Sequence, residues 1–164
     1  MIVPVILTAA AAAASIVDLR TRRVPNALTL AIAMTGVTVA ATGFGPLSLP
    51  ASLAGAIVGL LLMLPGHLLG KTGGGDVKLL AAFGTLLGPG NTVMAFLFSA
   101  IAGGVLAIAV AAQRGRLAET VGAAGRLVVT AGGHAAAVEH EGRNNRFAYA
   151  PAIAIGAVLA GLGG

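Results

Sequence analysis

The sequence lacks cysteine and has few charged residues, and each shortage excludes a class of protein. Without cysteine the chain forms no disulfide and has no cysteine nucleophile and no cysteine-based zinc or iron–sulfur site. Only 9% of its residues are charged and 57% are hydrophobic, where a soluble domain carries about 25% charge. This composition excludes a water-soluble monomer. Lipid is therefore the expected solvent for most of the chain.

Basic residues outnumber acidic residues, with ten Lys and Arg against five Asp and Glu. In a soluble protein this excess would indicate a nucleic-acid partner. Here the cations are scattered between apolar runs, where Lys and Arg usually set membrane orientation. We therefore expect a lipid bilayer as partner and no nucleic acid.

Six apolar stretches predict an all-α, polytopic membrane protein. A hydrocarbon core about 30 Å thick needs about 20 apolar residues in a helix, and fewer where neighbouring helices help. The expected spans are 2–17, 27–42, 50–70, 77–88, 92–112 and 150–163. Small-residue steps at Gly55/Gly59, Gly66/Gly70 and Gly84/Gly88 are typical of closely packed membrane helices. We expect one domain over 1–164, a bundle of six transmembrane helices.

The basic residues fall in alternate connectors, which predicts the orientation of the bundle. All ten lie in the first, third and fifth connectors, so these face the cytoplasm and both termini face outward. The fifth connector, 113–146, is expected to carry an amphipathic interfacial helix near 116–130, followed by a connector over 131–146.

Two aspartates are the candidate functional groups. The three glutamates, Glu119, Glu139 and Glu141, fall in the fifth connector and are expected to be solvated. Asp18 instead ends the first helix, and Asp76 follows a glycine run at the start of the fourth. Both positions lie at the cytoplasmic membrane boundary, where an ionisable group is costly and therefore a functional candidate.

Each aspartate also has a structural interpretation. Asp76 after glycines is a good helix N-cap. Asp18 in a last helical turn meets the negative end of the helix dipole, and an ion pair with Arg20, Arg22 or Arg23 would offset that cost. These alternatives stand beside the interpretation of the two carboxyl groups as a pair.

Paired carboxyl groups suit acid–base hydrolysis, in which one deprotonates a water and the other donates a proton. The helix-end fields favour ionised Asp76 as the base and protonated Asp18 as the acid, unless the arginines reverse the order. Gly73, Gly74 and Gly75 permit positive φ and close approach of an extended substrate; a flexible loop explains them equally well.

Other chemistry is not expected. The segment 66–72 resembles a phosphate loop but has three residues between its glycines, where that motif needs four, so no nucleotide is expected. His67, His134 and His140 are too dispersed to predict a metal site, and no cofactor is expected. The rival functions are a small transporter with the aspartates as an ion site, and a non-catalytic subunit of a secretion or pilus-assembly machine.

The sequence resembles the type IV prepilin peptidase family, the GxGD aspartic proteases of bacterial membranes. Residues 18–26 (DLRTRRVPN) match the family's aspartate, basic stretch and hydrophobic-Pro-Asn, and residues 73–79 (GGGDVKL) match its GxGDxKL. Residues 147–153 (FAYAPAI) are similar, more weakly, to the segment that opens the family's last helix, where the family usually has proline in place of Ala148.

The resemblance implies that Asp18 and Asp76 are the catalytic pair. Supporting or substrate-binding candidates on the matching positions are Gly73, Gly74, Gly75, Lys78, Pro25 and Asn26. Lys78 would tune the pair, bind a substrate carbonyl, or serve as a snorkelling anchor.

The resemblance also implies a substrate and a location. The chain has no cysteine and only Val17 ahead of Asp18. In both features it is similar to the short, peptidase-only form, without N-methyltransferase activity. Such members serve tight-adherence (Flp) pilus systems. The implied reaction is removal of a short basic leader from a prepilin at the cytoplasmic side of the bacterial inner membrane.

Overall fold

The computed structural model describes residues 2–21, 23–69, 72–113 and 149–163, and within them all regular secondary structure is helical. This confirms the all-α class. The helices are α1 (Ile2–Thr21), α2 (Asn26–Ala41), α3 (Leu49–Leu68), α4 (Gly74–Gln113) and α5 (Ala150–Gly163).

Three of the helices are long and apolar enough to cross a membrane. These are α1, α3 and the 33-residue part of α4 from Gly74 to Leu106. Helices α2 and α5 are apolar but have only 16 and 14 residues. The arrangement is that of an all-α membrane protein, and the number of six spans stays a prediction.

Helix α4 consists of two helical segments that meet at a kink, one position before the fourth connector expected around 89–91. A single residue, Gly88, departs from helical geometry, with φ 74° and ψ 174°. Positive φ suits glycine, and the ring of Pro89 presets the φ angle of a first helical turn. The chain therefore kinks at Gly88, between the expected fourth and fifth spans.

A buried hydroxyl compensates for this bend. In a continuous helix the carbonyl of Thr85 would accept the N–H of residue 89, but Pro89 has none. The Ser52 hydroxyl of α3 donates to the Thr85 carbonyl over 2.8 Å, and Ser52 is 0% exposed. Helix α3 thus satisfies a polar group that the bend in α4 leaves unpaired.

Helices α3 and α4 meet through glycines, in agreement with the close packing that their spacing predicts. A Cβ on Gly55 would collide with the Gly84 carbonyl, and a Cβ on Gly84 would collide with the Gly55 carbonyl. One turn away, a Cβ on Gly59 would lie 2.7 Å from the Leu80 carbonyl oxygen. Gly66 instead faces Thr72, and Gly70 lies outside the described residues.

Helices α1 and α5 pack antiparallel, and this pairing positions the candidate site. Near one end, Gly161 of α5 lies against Leu7 of α1; at the other, the first residue of α5 contacts Asp18. The buried core between the helices is built mainly from alanine, leucine and isoleucine, with Phe83 of α4 as its largest fully buried side chain.

Residues 2–103 and 149–163 belong to one compact unit, which contains both aspartates. Residues 104–113 belong to a second unit and form the end of α4. The interfacial helix expected near 116–130 and the connector over 131–146 lie outside the described residues.

Candidate active site

Asp18 is a buried residue in the last turn of α1, only 5% exposed. Its Oδ2 accepts a hydrogen bond of 3.2 Å from the backbone N–H of Ala150, the first residue of α5. N–H groups in the first turn of a helix have no partner within the helix and carry a partial positive charge. The start of α5 therefore holds the Asp18 carboxyl group.

The ion-pair interpretation of Asp18 does not hold for the two arginines that the structure describes. Arg20 and Arg23 are exposed, whereas the hydrogen bond to Asp18 comes from the backbone of α5. Arg22 lies outside the described residues.

Asp76 lies in the first turn of α4, as its third residue, and not at the expected N-cap position before the helix. The helix begins at Gly74, and the backbone N–H of Asp76 donates to the Gly73 carbonyl over 3.0 Å. The Asp76 carboxyl group lies beside Gly73. The side chain of the third residue of α4 therefore turns back toward the residue before the helix.

Close approach, and not positive φ, explains the three glycines before Asp76. The positive φ angles of the described glycines are at Gly43 and Gly88, so the expectation of positive φ at Gly73, Gly74 or Gly75 is wrong. A Cβ on Gly73 would lie 3.1 Å from Asp76 Oδ2. A Cβ on Gly75 would lie 3.6–3.7 Å from Val24, which precedes α2. The glycines let the start of α4 pack against its own carboxylate and against the α1–α2 connector.

Lys78 joins the two sequence blocks that carry the aspartates. Its Nζ donates to Asn26 Oδ1 over 3.1 Å, across 52 positions of sequence. Asn26 is the first residue of α2, and the Pro25 carbonyl accepts the first N–H bonds of that helix. In the structure Lys78 therefore binds Asn26, a partner that the sequence did not predict.

The two carboxyl groups are close enough for their charges to interact, and Tyr149 is close enough to Asp76 to be affected as well. The negative charge of Asp18 acts on Asp76, and the negative charge of Asp76 acts on Tyr149. Burial, followed by the negative charge of Asp76, raises the pKa of the Tyr149 phenol above its ordinary value of 10.0. Tyr149 directly precedes Ala150. One short segment therefore contacts Asp18 through the Ala150 N–H and is affected by the charge of Asp76 through Tyr149.

Asp18 thus accepts a backbone N–H at the start of α5, and the Asp76 carboxyl lies beside the residue before α4. The assignment of the base to Asp76 and of the acid to Asp18 stays a prediction. Two neighbouring carboxyl groups of this kind are suited to share one proton.

Comparison with known proteins identifies the family. Residues 5–108 match the model of the type IV leader peptidase family. The chain belongs to this family. Membership makes the chain a peptidase, and hence a hydrolase, of a family whose substrates are prepilins. No curated protein and no solved structure matches the chain.

The match of this leader peptidase to its family covers both aspartates, Asn26 and Lys78, and ends before α5. The contributions of Tyr149 and of the Ala150 N–H therefore come from outside the matched residues. The signal for them in the sequence is the weak similarity of residues 147–153 to the family's last helix.

His67 is the other residue near the site that the sequence did not assign. It lies in the last turn of α3. Its Nδ1 is 3.0 Å from the Thr72 carbonyl oxygen, and its ring is close to Gly74. His134 and His140 lie outside the described residues.

Proposed function

We propose that the chain is a membrane aspartic endopeptidase that removes the short basic leader of Flp-like type IV prepilins, without methylating the product. The observation that carries this proposal is the pair of aspartates: Asp18 is held by the Ala150 N–H, and its charge acts on Asp76. Membership of the leader peptidase family supports the peptidase chemistry and the prepilin substrate.

In the proposed mechanism Asp18 and Asp76 share one proton. The ionised carboxylate removes a proton from a water, whose oxygen attacks the carbonyl carbon of the scissile amide. The protonated carboxyl stabilises the developing oxyanion and gives its proton to the leaving nitrogen as the C–N bond breaks. The pair then again carries one proton, because the water proton has replaced the one that was donated.

We propose that the site faces the cytoplasm, with six membrane spans, both termini outside, and the bacterial inner membrane as its location. The basic first, third and fifth connectors support this orientation. Arg20 and Arg23, close to Asp18 in sequence, are exposed. A site at the membrane boundary has access to water, which hydrolysis consumes.

The proposed substrate path passes the start of α4. The apolar helix of the prepilin would enter between helices, and its extended leader junction would cross Gly73–Gly75 between the aspartates. Because these glycines carry no side chains, the substrate backbone can approach Asp76 closely. Lys78 and Asn26 support the site by joining α4 to α2, and the Pro25 carbonyl accepts the first N–H bonds of α2.

Co-expression with a prepilin tests the proposal. The prepilin encoded nearest to the gene is produced with the wild-type chain, with Asp18→Asn, with Asp76→Asn, or with Glu119→Gln as a matched carboxylate control. We expect the wild type and the control to trim the leader, read as a gel shift and by the N-terminus of the product. Neither aspartate variant should cut at normal membrane level; cutting by both would refute the assignment.

A further inference from the structure

Thr72 is tied to the end of α3 by both of its backbone polar groups. Its N–H donates to the Gly66 carbonyl over 3.2 Å, and its carbonyl oxygen lies 3.0 Å from Nδ1 of His67. A carbonyl oxygen only accepts hydrogen bonds, so Nδ1 of His67 carries the proton in this contact. The last turn of α3 therefore fixes the residue that precedes the glycine run.

The Thr72 carbonyl belongs to the same peptide group as the Gly73 N–H. Gly73 in turn contacts Asp76: its carbonyl accepts the Asp76 N–H over 3.0 Å, and a Cβ on it would lie 3.1 Å from Asp76 Oδ2. The peptide group is planar, so a hydrogen bond that fixes its carbonyl also fixes the position of Gly73. The contacts form a continuous series from the His67 ring, through the peptide between Thr72 and Gly73, to Asp76.

Packing reinforces this series of hydrogen bonds. A Cβ on Gly74 would lie 3.4 Å from Cε1 and 3.8 Å from Nε2 of His67, so the ring rests against the glycine run. A Cβ on Gly66 would lie 3.1–3.2 Å from the Thr72 side chain, so that side chain fills the space over Gly66. The ring and the Thr72 backbone thus limit the movement of the segment that leads into α4.

We propose that His67 is a positioning residue for the peptidase reaction, acting on the Asp76 carboxyl through the peptide group between Thr72 and Gly73. This inference rests on the proposed function, because it assigns Asp76 to the reaction. By fixing the Thr72 carbonyl, the imidazole holds Gly73 in the position against which the Asp76 carboxyl packs. His67 itself need not touch the substrate.

Substitutions at His67 separate its Nδ1 donor from its bulk. The amide nitrogen of Asn reaches about where Nδ1 lies, and that of Gln about where Nε2 lies. We expect His67→Leu and His67→Gln to lower kcat for prepilin cleavage on the order of tenfold with little change in KM, because a misaimed reacting group slows the chemical step. His67→Asn should restore kcat to near the wild-type value.

Leu68→Ala is the matched control, since Leu68 lies in the same last turn and is 76% exposed. It should leave kcat unchanged. Wild-type kcat in both His67→Leu and His67→Gln would overturn the proposal. A His67→Asn variant as slow as His67→Leu would also overturn it, because kcat would then not depend on the Nδ1 donor.

Hydrogen exchange gives a readout that does not depend on cleavage. The Asp76 amide, which donates to the Gly73 carbonyl, should exchange faster in His67→Leu than in the wild type and at the wild-type rate in His67→Asn. Equal exchange in all three would contradict the series of contacts. Failure of the wild type to cleave any prepilin would instead count against the proposed function, so the two failures are distinguishable.

Discussion

Asp18 accepts a hydrogen bond from the backbone N–H of Ala150, at the start of a helix. Backbone donors are fixed by the fold, so they hold a carboxyl group without the side-chain entropy that a lysine or arginine partner would lose. Lys78 is the one nearby cation with a side-chain partner in the described residues, and that partner is Asn26. Its role is therefore expected to be the joining of α2 to α4.

The Lys78–Asn26 contact gives a first prediction, on coupling between two side chains. We expect Lys78→Met and Asn26→Leu each to lower kcat/KM by about two- to fivefold, because an exposed hydrogen bond contributes about 1 kcal/mol or less. The double variant should be no worse than either single one, measured as a double-mutant cycle. Independent, multiplying effects would mean that each side chain acts on something else.

A second prediction concerns Tyr149, which is the single tyrosine in a chain without tryptophan. The ultraviolet absorbance of tyrosinate therefore reports this residue alone. Its pKa is raised by burial and by the charge of Asp76, so the titration midpoint should lie above 10.0, and Asp76→Asn should lower it. The stability that the neutral phenol contributes is full below the unfolded pKa and is lost as pH rises through the folded pKa. An unchanged midpoint in Asp76→Asn would contradict the placement of Tyr149 near Asp76.

The helices could be predicted largely from hydropathy, and their contacts only in part. The apolar runs gave α1, α2, α3 and α5 to within a few residues, because membrane helices need long apolar segments. A break between the fourth and fifth spans was expected around 89–91 because Gly-Pro marks loops in most sequences. The structure narrows this break to Gly88, since Pro also suits a first helical turn. The glycine steps indicated close packing without showing which helices would meet.

The crossing of α3 and α4 supplies a third prediction. Gly55→Ala should destabilise the protein by about 1–3 kcal/mol, because the added methyl group would meet the backbone of Gly84 and Gly88. Gly90→Ala is the matched control: no atom lies within 4 Å of a Cβ there, so it should be neutral or slightly stabilising. Thermal unfolding in detergent measures both. Equal midpoints for the two variants would contradict the close crossing.

For the molecule as a whole, the candidate site depends on contacts between distant parts of the chain. The Ala150–Asp18 hydrogen bond spans 132 positions, and the packing of α1 on α5 makes it possible. Sequence reasoning identified both aspartates from their membrane-boundary positions and the family motifs. It could not find the start of α5 as the partner of Asp18, because a backbone N–H has no sequence signature. The same holds for His67, whose partner is a backbone carbonyl.

The central claim is that Asp18 and Asp76 act as one catalytic pair. The most direct test measures prepilin cleavage by the purified chain in lipid vesicles, with Asp18→Asn, Asp76→Asn and the double variant compared at equal protein amounts. We expect each single variant to lose activity on the order of a thousandfold and the double variant to lose no more, since residues that act as a unit are not additive. Near wild-type cleavage by either single variant, or multiplied losses in the double variant, would contradict the account.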